Sequence, residues 1–269
     1  MTSASGAGAD GPAAGLYLAL DTSGEEGSVA LAEGKDRVGA GGDGGSPGAT
    51  MRVLEEVRLG AEEEHASVLT SSIKEILESR GAVPEDLAGV VVGAGPGSFT
   101  GVRVGAATAK ALAWSLGRPL WAFSSLAGAA VSSEAGGAHT RFVLFDARGR
   151  RVYAAGYRVE SGVIDTVMEP RATTVDELLD RALLPGAVLM GTGALRHRAL
   201  LEAGGWAVLS PPHGLPSGPG LLRLLALRSR SEPVEDPGRW EPDYLRESGA
   251  ERIWKSRRRG PGISGGGRL

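Results

Sequence analysis

The run Gly95-Pro96-Gly97-Ser98-Phe99-Thr100-Gly101-Val102-Arg103-Val104-Gly105 brings glycines and hydroxyls together at a corner of the chain. Before it, Leu87, Val90, Val91 and Val92 read as a short buried strand; after it, Ala106 to Leu116 reads as an alanine-rich helix. A helix start at such a corner presents unpaired backbone N–H groups, which favour an anion or a polar group. The nucleotide motifs do not fit the spacing. A P-loop needs a second glycine five residues after the first, followed by lysine, whereas Thr100 follows Gly95 at that distance, Val102 follows Gly97, and the run has no lysine. A dinucleotide fingerprint fails at Ser98, where a third glycine is required. The same glycines also suit a purely structural role, permitting a tight turn and close packing of the following helix.

A second chemical candidate is the turn Asp21-Thr22-Ser23, which ends a strand pattern over Leu16 to Leu20. A carboxylate and two hydroxyls there are partly the right types for a phosphate loop. The turn continues as Gly24-Glu25-Glu26-Gly27, whose carboxylates repel a polyphosphate unless magnesium intervenes. Gly191-Thr192-Gly193 has the build to approach an adenine or ribose, but a glycine turn between strand and helix needs no ligand. Asp146-Ala147-Arg148 sets an acid beside a base, which reads as a salt bridge or an aspartate-stabilised turn. The four histidines, His65, His139, His197 and His213, stand singly, and Leu69 occupies the place of a second metal-binding imidazole on the helix that His65 opens. With no cysteine there is no disulfide, thiol nucleophile or thiolate metal site.

A chain of 269 residues can bury a sizeable core in one or two domains. Its net charge of -3, from 29 basic and 32 acidic residues, argues against broad unaided binding of nucleic acid. No apolar run is long enough to span a membrane, and Met1 to Gly15 does not resemble a secretory signal, so a cytoplasmic location is expected.

The elements that must position these residues follow a repeated order. Leu16 to Leu20, Gly27 to Leu31 and Met51 to Leu59 read as three successive strands, with Leu54 breaking the alternation of the third and Ala40 to Thr50 as a glycine-rich loop. His65 opens a helix whose Val68, Leu69, Ile73, Ile76 and Leu77 form one stripe, closed by Gly81. The order recurs at Arg141 to Asp146, Arg151 to Val159 and Gly162 to Val167, then a helix over Val175 to Ala182, a strand over Ala187 to Met190 and a helix through Leu195 to Ala203. Two such copies predict an internally duplicated α/β protein.

Five segments in the same order, Leu18-Ala19-Leu20-Asp21-Thr22-Ser23, His65-Ala66-Ser67-Val68-Leu69, Gly95 to Gly105, Asp146-Ala147-Arg148 and Pro242-Asp243-Tyr244-Leu245-Arg246, closely resemble the TsaB (YeaZ) family over about Leu16 to Trp254. The resemblance implies the duplicated actin-like, hexokinase-like ATPase fold, with ribonuclease H-like halves in two α/β lobes. The lobes are then expected over 16–118 and 119–230, with 231–254 as a segment packing back on the core; the strand pattern has Pro119 to Phe123 closing the first copy, and composition makes 1–15 a disordered extension and 255–269 a disordered basic tail beyond the resemblance.

Functionally, the resemblance implies a non-catalytic scaffold subunit of the complex that makes N6-threonylcarbamoyladenosine in tRNA. The chain would pair with the catalytic subunit TsaD and engage the ATPase TsaE, reaching tRNA through the complex; the basic tail from Lys255 goes beyond the resemblance, and its composition suits either a brush with tRNA phosphates or no specific role. A homodimer through the same helices is the competing assembly. His65, Leu69, Ser72, Ile73, Ile76, Ser98, Phe99, Thr100, Arg103, Ala106 and Lys110 would form the partner face, with Ser72, Arg103 and Lys110 on its exposed rim. Asp21, Thr22 and Ser23 would be a degenerate phosphate loop, with no metal and no tightly bound cofactor on this chain alone; ATP or ADP with magnesium would belong to an interface of the complex. The alternative is an actin-like kinase or ATPase with its own nucleotide site at Asp21 to Ser23. A metallopeptidase reading finds no metal-binding histidine pair.

Overall fold

A computed structural model describes residues 14–35, 50–60, 65–132, 137, 139–160, 162–180, 184–227, 231–243 and 245. The glycine-rich loop from Ala40, the extension before residue 14 and the tail from Lys255 lie outside the described residues.

Three strands, β1 (Gly15–Asp21), β2 (Gly27–Lys35) and β3 (Thr50–Leu59), form an antiparallel meander. The break at Leu54 is a β-bulge: Leu31 faces Glu55 and Ala32 faces Val53, so Leu54 is the extra residue between them. Helix α1 (His65–Glu78) leads to β4 (Leu87–Gly93), which pairs in parallel with β1. Helix α2 (Phe99–Leu116) starts earlier than its alanines suggest, so Gly101 to Gly105 belong to the helix and the corner narrows to Ala94 to Ser98. Ser98 caps it by accepting from the Gly101 N–H at 3.3 Å, and Gly117 ends it in the left-handed region.

Next, β5 (Leu120–Phe123) pairs with β4, so the first sheet ends at Phe123 and not at residue 118. Helix α3 (Ser125–Val131) leads into the second meander, β6 (Thr140–Asp146), β7 (Arg151–Glu160) and β8 (Val163–Thr174). Then come α4 (Val175–Leu179), β9 (Val188–Met190), α5 (Thr192–Arg196), α6 (Arg198–Ala203), β10 (Ala207–Val208) and α7 (Gly218–Leu227). The predicted helix through Leu195 to Ala203 is two short helices meeting at His197, and α7 was not foreseen.

The two five-stranded sheets have orders β3-β2-β1-β4-β5 and β8-β7-β6-β9-β10, the same topology twice. This is the duplicated actin-like α/β fold. Each sheet is covered on both faces, which is why its central strands read as continuous apolar runs. Helices α1 and α2 cover the outer face of the first sheet around Leu18, Leu31, Val90 and Val92. Helices α4, α5 and α6 cover the outer face of the second around Leu144, Val152 and Leu189. Helices α3 and α7 lie between the sheets, and Leu126, Leu221 and Leu225 join Ala19 and Val91 of one sheet to Val143 and Ala155 of the other.

Candidate functional site

Asp21 ends β1 and is fully buried. Its Oδ1 accepts from the Ser23 N–H and from the Ser125 hydroxyl, each at 3.1 Å, while Oδ2 and the Ser23 Oγ have no hydrogen-bond partner among the described residues. Removal from water pushes the Asp21 carboxyl above its ordinary range, against hydrogen bonds from Ser23, Ser125 and the Ser217 backbone. Thr22 donates its hydroxyl to the Gly101 carbonyl at 2.7 Å, and the Ser23 carbonyl accepts from the Ser98 N–H at 2.7 Å. Gly97 and Gly101 are required here: a Cβ on the first would collide with the Ser23 carbonyl, and on the second with that of Thr22.

The turn is covered from the other side too. Arg58 donates to the Pro216 carbonyl at 2.6 Å, and Ser28 Oγ accepts from the Gly218 N–H at 2.9 Å while donating to Glu56. The polar group that the glycine corner meets is therefore the chain's own Asp21 to Ser23 turn. In this arrangement the Asp21 carboxyl is inaccessible and the turn's polar backbone is engaged by the corner.

The second acidic turn is also closed internally. Asp146 donates its N–H to Thr192 Oγ1 at 3.1 Å, accepts from the Arg148 N–H at 3.0 Å and from the Arg196 guanidinium at 2.6 Å. The acid–base pair suggested by Asp146 and Arg148 is thus an aspartate-stabilised turn, with Arg196, fifty residues on, as the ionic partner. Among the described residues, no group of three or more histidines and carboxylates could hold a metal ion.

The helices tell a different story from the partner face read in the sequence. Leu69, Ser72, Ile73, Ile76 and Ala106 are buried within the chain, so Ser72 is not on an exposed rim. The stripe on α1 is apolar because it covers the first sheet. The Lys110 ammonium donates to the carbonyls of Gly238 and Trp240 at 3.1 and 2.8 Å. Of the residues named, Ser98, Thr100 and Arg103 are exposed; Phe99 is half-buried, with the Arg103 guanidinium 3.8 Å from its ring centroid. The placement of His65 is described only as the first residue of α1.

The outward face of α2 continues from Thr100 and Arg103 through Ala107 and Ala111 to Trp114, which is 82% exposed. Ala107 and Ala111 belong to the run of small side chains that the sequence offers for close helix approach; Trp114 was missed, though its helical spacing from Arg103 marks it as part of the same face. Small alanines flanked by an arginine and a bare tryptophan suit close approach by another helix. On α1, Ser67, Thr70, Ser71, Lys74 and Glu75 face outward.

Residues 59–197 match the family model of TsaD, tRNA N6-adenosine threonylcarbamoyltransferase. The tRNA threonylcarbamoyladenosine biosynthesis protein TsaB of Bacillus subtilis (strain 168) is 30% identical over 215 residues, covering 75% of this chain and 88% of that protein. The solved structure of YeaZ from Pseudomonas aeruginosa superposes with a TM-score of 0.64 at 27% identity, covering 86% of this chain and 100% of that one. A second solved structure, described as an uncharacterized protein with similarity to peptidase YeaZ from Pseudomonas aeruginosa, gives a TM-score of 0.66 at 28% identity, with the same coverage of 86% and 100%.

Proposed function

The chain belongs to the TsaB (YeaZ) family, and we propose that its part in tRNA threonylcarbamoyladenosine biosynthesis is that of a non-catalytic subunit which pairs with a TsaD-family transferase through the outward face of α2 and the adjoining face of α1. The observation that carries this reading is the exposed row of Thr100, Arg103, Ala107, Ala111 and Trp114 on a helix whose opposite side is fully used by the first sheet. A helix laid along this row meets alanines that lose no side-chain entropy on docking and a tryptophan that gains a large buried area. The sealed turn at Asp21 supports the division of labour, since the chemistry then belongs to the partner.

The pair engages a TsaE-family ATPase, works in the cytoplasm and reaches tRNA as a complex; ATP or ADP with magnesium belongs to an interface of that complex. Two copies of this chain presenting the same row form an isologous homodimer, which competes with the heteromer for one surface. Light scattering across a dilution series tests the proposal, with the chain and the TsaD-family subunit of its own organism measured alone and mixed. A heteromer that replaces any homodimer, with no threonylcarbamoyl transfer to tRNA by the chain alone, is expected. Two proteins that never associate, even with the ATPase added, overturn it and make ATP titration of the Asp21 to Ser23 turn the next experiment.

A further inference from the structure

The segment from Ser231 to Asp243 leaves the lobes and runs back over the first sheet, touching it at widely spaced points. The Trp121 indole N–H donates to the Ser231 carbonyl at 3.0 Å, and the Val234 N–H donates to the Leu120 carbonyl at 2.7 Å, covering the open edge of β5. Val234 and Trp240 pack against the core beneath α1 and α2. Lys110 Nζ, in the fourth turn of α2, then takes the carbonyls of Gly238 and Trp240, and the Asp243 N–H donates to the Ala94 carbonyl at 2.9 Å. Asp243 and Leu245 meet Pro96, Gly97 and Phe99 around a cavity that Tyr153 of the second sheet also lines.

These contacts fall on both sides of the first turns of α2: Ala94 lies just before its cap and Lys110 midway along it. Between the Val234 contact and Trp240 the segment bends, braced by Asp236 Oδ1, which accepts from the N–H groups of Gly238 and Arg239 at 2.8 and 3.3 Å. Pro237 and Gly238 line a groove of about 260 Å³ together with Lys110, Ala111 and Trp114, so the segment leaves open space against α2 beside the bond from Lys110 to the Gly238 carbonyl. The segment is therefore tied at points rather than packed flush, the build of an element that opens locally without global unfolding. A lysine bound to two backbone carbonyls reads the path of the segment, since both carbonyls must be presented together.

We infer that Ser231 to Asp243 is a strap that sets the position of α2 for docking, with Lys110 as its buckle. This rests on the reading that α2 is the docking helix, and it gives that helix a means of regulation: the strap borders the docking row at Ala111 and Trp114, and whatever peels it away lowers affinity for the partner with every residue of the row unaltered. Lys110 thus serves the partner face indirectly, as a positioning residue.

The test uses the full chain as wild type, Lys110→Met, Asp236→Ala and the charge control Lys35→Met, an exposed lysine at the end of β2. Amide hydrogen exchange is measured without partner, and affinity for the TsaD-family subunit by titration. In Lys110→Met, loss of two charge-assisted bonds should speed exchange at the Val234 and Asp243 amides, and at Ser98 and Val102 where α2 begins, by about tenfold or more, and weaken partner binding about tenfold. Asp236→Ala, on the exposed bend, should act in the same direction more weakly, and it keeps the test alive should Lys110→Met fold poorly. Lys35→Met should match wild type in both measurements. If strap amides speed up while Ser98, Val102 and affinity stay unchanged, the strap is a passenger and the inference fails; unchanged exchange at every one of these amides also overturns it. Should wild type not bind the partner at all, the docking reading fails on its own, and the exchange data still decide whether strap and helix are coupled.

Discussion

Asp21 holds a carboxyl where no charged group opposes it: the groups reaching it are Ser23, Ser125 and the Ser217 backbone. An unfolded aspartate titrates near about 3.9. Because burial raises the folded value, the folded state keeps its proton to a higher pH than the unfolded state. Stability is then greatest below the unfolded value and falls as pH rises towards the folded one, by up to ~1.4 kcal/mol per pH unit, before levelling. Asp21→Asn mimics the protonated acid, so it should equal wild type near the unfolded value and exceed it in stability at neutral pH. Urea unfolding at the two pH values measures this. A variant weaker than wild type at neutral pH would mean that an ionised carboxylate organises the turn.

Helix α2 carries two opposed demands on one element. Val102, Ala106, Ala109 and Ala113 face inward, and Thr100, Arg103, Ala107, Ala111 and Trp114 face outward. Ala107→Glu should leave stability within about 0.5 kcal/mol of wild type, as surface changes do, yet weaken the heteromer by putting a charge into a desolvated contact. Ile73→Asp on α1 should do the reverse in kind: it buries an unpaired charge against the sheet and unfolds the protein at a cost of several kcal/mol, whether or not a partner is present. Thermal denaturation with light scattering separates the two. Normal association by Ala107→Glu would remove this face from the interface.

Across the whole molecule, the inner faces of both sheets close on the same helix pair, α3 and α7. Neither sheet buries its inner face without that pair, so the lobes should unfold together. Leu224→Ala, at a fully buried position of α7, should cost about 2–5 kcal/mol and lower protection equally at Val91 in the first sheet and Val143 in the second. Hydrogen exchange at those amides checks it; protection lost in one sheet alone would show two independent units. The strap ties parts of the first lobe to each other, joining the β5 edge to the corner before α2.

Local periodicity encodes what a segment is, and the meanders, α1, β4 and the duplication were legible for that reason. Even the fault in β3 was visible as Leu54, although the bulge itself needs the partner strand to define it. Helix α7 was not legible: it opens Gly218-Pro219-Gly220, which reads as a turn, and Leu221, Leu222, Leu224 and Leu225 are apolar without one polar face. Its glycine is needed for contact with α3, where a Cβ on Gly220 would strike the Gly128 carbonyl. The residue types at Asp21 to Ser23 were plain, but their sealing depends on Gly101 and on Pro216 to Gly218, which lie far along the chain. The same limit misdirected the α1 stripe and Lys110. Spacing along a helix tells which side is apolar; whether that side meets the chain's own sheet or another protein is settled by how distant faces stack, which no local pattern contains.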